Sequence, residues 1–302
     1  MKIFNNCAEA TEACLSNNYF SIAHLYKDEP SKGIHMHDCY ELYYSISGAK
    51  QFFIDNQFYP IEPGNAFFIN QFESHCLTQI DNDSHERILI LISPPYLKSI
   101  STETTDLDAC FREHPPGRSH RIALDPEEQK RFLFYIDNLK EISNFGSDVM
   151  ERSTFALLMV YMTKRYLKFV RHRSTPQSPL PASDAASHDV KVAGILSYIN
   201  QNLNRPISLE QIADQFHLSP SYICRIFKDA TGDTVNKYIN TQRILQAKIL
   251  LTKGHSVTET AERCGFENYS TFFRAFTKVT NISPKNYIQF STHRELTEGQ
   301  ST

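Results

Sequence analysis

Apolar positions change their spacing twice along this chain. Before residue 100 they come in short runs, YFSIAHLY, YELYYSI, QFFIDNQFY, NAFFIN and RILILI, punctuated by Gly, Pro and Asn. Runs of this length, rich in aromatic and β-branched residues, predict strands, and their close spacing predicts a small barrel or sandwich. From 126 to 170 the spacing becomes three and four. Pro126, Glu127 and Glu128 suit a first helical turn, and Phe132, Tyr135, Ile136, Leu139 and Ile142 follow in helical register. SNFGSD (143–148) breaks that helix, and STFALLMVYMTKRYLKFV (153–170) resumes it with apolar residues on most sides. Two readings of this pair stay open: packing on its own domain, or a dimer contact. RHRSTPQSPLPASDAASH (171–188), rich in Ser, Pro and Ala, reads as a linker. Everything after 189 reads as helix.

The helical third repeats itself. SLEQIADQFHLSPSYICRIFKDATGDTVNKYI (208–239) aligns with SVTETAERCGFENYSTFFRAFTKVTNISPKNYI (256–288) after one insertion. Ser208 then matches Ser256, Ala213 matches Ala261, Arg225 matches Arg274, Phe227 matches Phe276, and Tyr238 matches Tyr287. Both copies open with the spacing of a capping box, Ser208 with Gln211 and Ser256 with Glu259. In the first copy Ser219 and Pro220 mark a second helix start. A short helix, a tight turn and a second short helix is the helix-turn-helix plan. Ile223, Ile226 and Phe227, with Phe272, Ala275 and Phe276, sit at core spacing.

The opposite faces carry Ser221, Cys224, Arg225 and Lys228 in one copy, and Tyr269, Ser270, Phe273, Arg274 and Thr277 in the other. With Ser219, Tyr222 and Thr271, these are the candidate DNA-contacting residues. A lone Arg on a helix face is ordinarily just solvated; two in register argue for shared work. DTVNKYINTQRILQAKILLTKG (233–254) reads as one joining helix, whose ~19 helical residues span about 28 Å. Adjacent major grooves on one side of B-DNA lie about 34 Å apart. One chain therefore has the reach to place both second helices in neighbouring grooves.

Charge agrees in sign. The whole chain is at −3, yet from Asp189 onward 13 Lys+Arg stand against 10 Asp+Glu, leaving 18 and 24 for residues 1–188. Seven cysteines with no C-x-x-C pair argue for reduced thiols in a cytosol. No apolar run approaches the ~18 residues of a membrane span, and the start does not read as a signal peptide.

Residues 189–291 resemble the DNA-binding domain of the AraC/XylS family of bacterial transcription regulators. The resemblance rests on IADQFHLSPSYICRIFK, on Gly254 ending the joining helix, and on CGFENYSTFFRAFTKVTNISPKNY. Gly265-Phe266 and Ser283-Pro284 fall at signature positions. Two departures stand out. Phe273 replaces a small polar residue and suits contact with a thymine methyl, and Thr277 replaces a Lys, removing a phosphate contact.

The stretch HMHDCYELYYSISG (35–48) holds His35, His37 and Glu41, and His75 follows after the next hairpin. On a strand, residues two apart share a face, so these groups would point into one interior. H-x-H-x3-E-x6-G is the first cupin motif, intact. Gly64, Asn70, Phe72 and His75 follow the spacing of the second, with Asn70 and Phe72 replacing its Pro and inner Gly. Residues from about 15 to 100 therefore resemble a cupin barrel, the usual sensor of this regulator family. His35, His37, Glu41, Tyr43 and His75 are the candidate ligand pocket, with Tyr40, Tyr44, Phe52 and Phe68 as further aromatic lining. His35, His37, Glu41 and His75 also suit Fe, Mn, Ni or Zn. A pocket without metal is the other reading, and no cofactor is expected.

The expected architecture is multidomain, α and β. A cupin-like ligand-sensing barrel fills 1–125, and the helical pair 126–170 is a candidate dimerisation element. The linker is 171–188, and an all-α DNA-binding domain with two helix-turn-helix units fills 189–302. The resemblance implies a cytoplasmic, sequence-specific transcription regulator controlled by a small molecule, with a carbohydrate favoured by family analogy. It implies double-stranded DNA, the effector, a second copy and RNA polymerase as partners, no membrane and no enzyme activity. Two rivals remain: a metal-dependent cupin enzyme joined to a DNA-binding module, and a ligand-independent DNA binder.

Overall fold

The computed structural model describes residues 2–26, 33–55, 57–71, 73–78, 85–112, 119–140, 145–172, 184–280 and 282–289. Phe72 of the second cupin motif lies outside them, as do residues 173–183 of the expected linker. The chain forms two compact units, Met1–Pro181 and Ala182–Thr302.

Two sheets build the first unit. The larger contains β1 (Ile3–Phe4), β2 (Phe20–Leu25), β3 (Tyr40–Ser45), β6 (Asn65–Ile69), β8 (Arg87–Ile92) and β9 (Arg121–Ala123), in the order β1-β2-β8-β3-β6-β9. The smaller contains β4 (Ala49–Ile54), β5 (Gln57–Ile61) and β7 (His75–Thr78), in the order β5-β4-β7. Each predicted apolar run contributes a strand. RILILI is apolar without alternation because both faces of β8 are covered. Ile88, Ile90 and Ile92 pack with the helices, while Leu89 and Leu91 pack toward the smaller sheet. Period-two geometry sorts neighbouring residues onto opposite faces.

Helices cover one face of the larger sheet. α2 (Pro94–Ser99) and α3 (Ala109–Arg112) lie there with the helical pair, α4 (Pro126–Lys140) and α5 (Ser147–His172), whereas α1 (Cys7–Asn17) packs on the opposite face. Asp125 starts α4: its Oδ1 accepts from the amides of Glu127 and Glu128, both at 2.9 Å. Phe132, Ile136, Leu139, Phe155, Leu158, Met159, Met162 and Tyr166 are buried against the sheet. Phe155 stacks on Phe20 at 3.9 Å between ring centres, and Tyr166 lies 4.8 Å from Phe68. The pair thus packs on the sheet of its own unit, while Phe134, Met150, Leu157 and Val160 stay exposed.

Three expectations are corrected here. The break at 143–148 ends earlier than expected, because α5 already begins at Ser147, directly after Gly146 at φ +82°. The stretch 171–188 is not linker throughout: α5 runs to His172, and α6 (Asp184–Gln201) begins inside it. DAASHDV has no proline, carries helix-favouring alanines and opens with an acidic residue, which suits a helix start.

The second unit continues with α7 (Leu209–Phe216), α8 (Pro220–Thr231), α9 (Val235–Thr252), α10 (Val257–Arg263) and α11 (Tyr269–Thr280). The sequence repeat holds at atomic detail. Phe227 meets Tyr238 edge-on at 5.6 Å, and Phe276 meets Tyr287 edge-on at 5.6 Å. Thr231 Oγ1 donates to the carbonyl of Phe227 at 2.6 Å, and Thr280 Oγ1 to that of Phe276 at 2.8 Å. Ser208 and Gln211 form a complete capping box. The second box is only half formed, which is the third correction. Ser256 Oγ accepts from the Glu259 amide at 3.2 Å, but the Glu259 carboxylate is taken by His255 at 3.2 Å and Arg263 at 2.7 Å.

Gly64 joins the barrel to the helical pair. It sits at φ +81°, and a Cβ there would lie 2.2 Å from the side-chain amide nitrogen of Gln129 on α4. That amide donates to the Leu124 carbonyl at 2.8 Å. Gly64→Ala should therefore cost at least the roughly 1–2 kcal/mol of a left-handed non-glycine residue. Urea unfolding followed by circular dichroism will read it, and an unchanged midpoint refutes the close approach.

Candidate ligand pocket and nucleic-acid interface

A cavity of about 510 Å³ opens between the two sheets and α1. Tyr43, Phe52, His75, Arg87 and Leu89 line it from the strands, and Ala8, Thr11, Glu12 and Leu15 from one face of α1. α1 was not legible from hydrophobic spacing. Its signals are caps: Asn6 Oδ1 accepts from the amides of Ala8 at 2.8 Å and Glu9 at 3.2 Å, and Asn18 closes the helix in the left-handed conformation. Thr11, Glu12 and Arg87 are lining residues that the motif search missed.

The polar end of the cavity gathers the cupin-motif residues. Nε2 of His37 reaches Glu41 Oε2 at 2.9 Å, and Nε2 of His75 lies 3.6 Å from the same oxygen, beyond hydrogen-bonding distance. Nδ1 of His37 donates to the Cys39 carbonyl at 3.0 Å, and Nδ1 of His75 to the Glu73 carbonyl at 2.9 Å. The donor atoms of His37, Glu41 and His75 all lie within 4.8 Å of one another. His35 stands beside this trio, its ring 4.4 Å from that of His75. Its Nδ1 donates to the Gly33 carbonyl at 3.2 Å.

The strand argument for this grouping fails in part. Glu41 is in β3, but His35 makes only an isolated bridge to His75 and His37 lies in irregular backbone. Backbone bonds at 3.0 Å in both directions between His35 and His75 do what the pleat was expected to do. The aromatic lining is corrected too. Tyr43 and Phe52 face the cavity, whereas Tyr40, Tyr44 and Phe68 pack on the other side of the sheet, against Phe111, Phe132 and Tyr166. Residues 40, 42 and 44 cannot share a face with 41 and 43.

Burial sets the electrostatics. For Glu41, burial pushes the carboxyl up, and interactions with His37 and His75 outweigh it, holding the group well below the usual carboxylate range. His75 is pushed down by burial and raised further by Glu41, ending above an ordinary histidine. His35 is pushed down to about 3 by burial and by its two histidine neighbours, so it is neutral near pH 7. The result is a carboxylate between imidazoles at one end of an otherwise largely apolar cavity. Such a site orients a small molecule by a few polar contacts while its walls exclude water.

In the second unit, Ser219, Ser221, Cys224, Arg225 and Lys228 are exposed on α8 and its start, as are Tyr269, Ser270, Thr271, Phe273 and Arg274 on α11. Two expected residues sit differently. Tyr222 is half-buried, and the Arg225 guanidinium and the Lys191 ammonium lie over its ring at 5.3 Å and 5.6 Å. Thr277 turns its hydroxyl inward, where Oγ1 is buried with no partner among the described residues. Ser219 accepts from the Tyr222 amide at 3.3 Å as N-cap of α8. Asn268, which the repeat alignment passed over, does the same for α11 with the Thr271 amide at 2.9 Å.

A ligand-type cavity in one unit and paired helix-turn-helix units in the other define a DNA-binding regulator that carries its own small-molecule domain. Comparison with known proteins makes this specific. The AraC-like ligand binding domain matches residues 19–139, and a helix-turn-helix domain matches residues 212–289. The transcriptional activator RhaS of Salmonella typhimurium is 27% identical over 259 residues, covering 84% of this chain and 87% of RhaS. Among solved structures, the C-terminal domain of the response regulator AraT from Geobacillus stearothermophilus is 27% identical. It covers 33% of this chain and 84% of that one, with a TM-score of 0.33. ToxT from Vibrio cholerae is 15% identical, covering 91% of this chain and 98% of ToxT, with a TM-score of 0.35. The chain belongs to the AraC family of transcription regulators. It is a regulator and not an enzyme.

Arg225→Ala should weaken binding to a duplex selected from random sequence by about 1–3 kcal/mol and relax choice at one base position. Competition gel shifts against unselected DNA test this. An equal loss on both DNAs reduces Arg225 to a phosphate contact.

Proposed function

We propose that a polar small molecule occupying the cavity controls how the two helix-turn-helix units hold adjacent major grooves. The observation that carries this reading is the buried, ion-paired Glu41 set into a cavity large enough for a small metabolite. Tyr43 and Phe52 offer faces for an apolar ring surface, and Glu41 with the imidazoles offers hydrogen bonds to hydroxyls. That combination suits a carbohydrate. Affinity for DNA comes mainly from phosphate contacts and falls with salt; base choice comes from α8 and α11.

The proposal extends to assembly. The exposed apolar residues Phe134, Met150, Leu157 and Val160 on the outer side of α4 and α5 support a homodimer contact. Family resemblance supports RNA polymerase as a further partner and a cytoplasmic location. Among the described residues, no helix is long and apolar enough to cross a membrane.

A panel of sugars and other polar metabolites, read by thermal unfolding and by DNA affinity, tests the sensor. A ligand at a hundredfold excess over its Kd adds about 2.7 kcal/mol of stability. The same compound should shift DNA affinity by roughly fivefold or more. If no compound moves either quantity, the protein is a ligand-independent DNA binder.

A second reading has its own support. The backbone carbonyls on Nδ1 of His37 and His75 turn each Nε2 toward Glu41, and Nε2 of His75 is buried without a hydrogen-bond partner among the described residues. Such anchoring is how imidazole ligands are oriented. His37, Glu41 and His75 would hold a transition metal, which would supply Lewis acidity toward an oxygen of the effector. Elemental analysis should then find stoichiometric metal that His75→Ala loses, and added zinc or nickel should stabilise only the wild type. Metal-free protein that neither ion stabilises removes this reading.

A further inference from the structure

We infer that Arg243 and Gly265 clasp the two helix-turn-helix units together, and that this clasp fixes the distance between α8 and α11. The functional part of the inference rests on the proposed reading of two grooves by one chain. Helix packing in this unit runs through α9. Tyr238, near its start, packs on Phe227 of the first unit, whereas Ile244, Ala247 and Leu251 pack on Ala261, Phe266, Phe272 and Phe276 of the second. With α9 as the sole shared element, only side-chain packing on α9 and the turn at 253–256 would set the angle between the two helix-turn-helix units, leaving them freedom to rock. Gly254 lies in that turn at φ +85°, and a Cβ added to it would meet nothing within 4 Å.

The connection between α6 and α7 closes that freedom. It is a tight turn, in which the Arg205 amide donates to the Asn202 carbonyl at 3.1 Å. Arg243 projects from the middle of α9 onto this turn. Its Nε donates to the Leu203 carbonyl at 3.0 Å and its Nη2 to the Arg205 carbonyl at 2.7 Å. The same guanidinium lies 5.6 Å from the ring of Phe266, a buried residue in the turn of the second unit. Gly265, next to it, is at φ +74°, and a Cβ there would lie 2.4 Å from the Leu203 carbonyl oxygen and 3.0 Å from the Asn204 carbonyl carbon. Backbone of the second helix-turn-helix therefore touches backbone of the turn that leads into the first, and only glycine permits it. One planar side chain reaches both carbonyls and the ring, which a lysine cannot reproduce. Arg243 is thus a positioning residue: it faces the α6–α7 turn and acts on DNA through the helices it holds.

Two measurements test this. Spin labels on Cys224 and on Phe273→Cys, in the full chain with Cys7→Ser, report the separation of α8 and α11 without DNA. The distance distribution should be narrow with Arg243 present, and broader or displaced in Arg243→Ala and in Gly265→Ala. An unchanged distribution in both folded variants overturns the clasp. The second measurement uses a duplex selected from random sequence and copies of it with one to three base pairs inserted between its two footprints. Wild type should lose roughly tenfold or more on insertion, the size of a lost base-reading contact. Arg243→Ala should bind the uninterrupted site about tenfold more weakly and lose less than about threefold on insertion. Equal spacing penalties in variant and wild type overturn the positioning role. Should Arg243→Ala fail to fold by circular dichroism, Arg243→Lys carries both tests, expected between the two. A single-footprint site for wild type sinks the two-groove reading, and the spin-label distances still decide the clasp.

Discussion

The larger sheet of the first unit is buried on both faces, and this constraint organises everything around it. β3 and β8 have helices on one side and the cavity on the other, so adjacent residues of one strand serve different compartments. Tyr40, Leu42 and Tyr44 hold α3, α4 and α5, while Glu41 and Tyr43 line the cavity between them in sequence. A charged group in such a strand is admissible only when it is paired, because a buried carboxylate without partners costs many kcal/mol. His37 and His75 meet that requirement for Glu41. The polar end of the cavity and the packing of the helical pair are therefore held by the same six residues of backbone.

The second unit solves a different problem with duplication. Two copies of one supersecondary unit give two similar exposed helix faces from a single chain, and the shared details extend to ring contacts and threonine hydrogen bonds. The copies diverge where they meet solvent. α8 presents Ser221, Arg225 and Lys228, with Tyr222 beneath the arginine, whereas α11 presents Tyr269, Phe273 and Arg274. Phe273 is 38% exposed and Tyr269 50%, an aromatic pair that water alone does not favour. On the proposed reading, that exposed pair supplies apolar contact in a groove.

How much of this was legible in the sequence depended on what each feature rests on. Local periodicity located β2 to β6, β8, both helices of the pair and all the helix-turn-helix elements, because covered faces impose their period on the residues. Features set by tertiary contact were hidden. β7 is four residues whose place comes from pairing with β4. α1 carries few large apolar residues and is defined by asparagine caps at both ends. The grouping of His35, His37, Glu41 and His75 was visible from motif spacing, yet the reason offered for it was wrong. An irregular segment and a two-way backbone bridge hold the histidines, not a regular strand. The clasp of Arg243 joins positions far apart in sequence, and nothing in local spacing marks it.

Within the first unit a chain of polar contacts runs from the cavity toward the helical pair. The Glu73 carbonyl receives the Nδ1–H of His75 at 2.9 Å, and its carboxylate lies 3.3 Å from Nε2 of His120. His120 in turn meets the Tyr59 hydroxyl at 2.9 Å, and its carbonyl accepts from the Phe68 amide at 2.9 Å. It stands directly before β9, whose end leads through Leu124 into α4. Contiguity alone is not coupling. A ligand moves an equilibrium only by its difference in affinity for two arrangements, and a swing from 1:99 to 99:1 needs about 5.5 kcal/mol. A few hydrogen bonds to ionised groups, at about 1.5–3 kcal/mol each, supply that much only if they exist in one arrangement and not the other. On the proposed reading, an effector in the cavity does this by engaging its polar end, where Glu41 and His75 lie, rather than only its apolar walls.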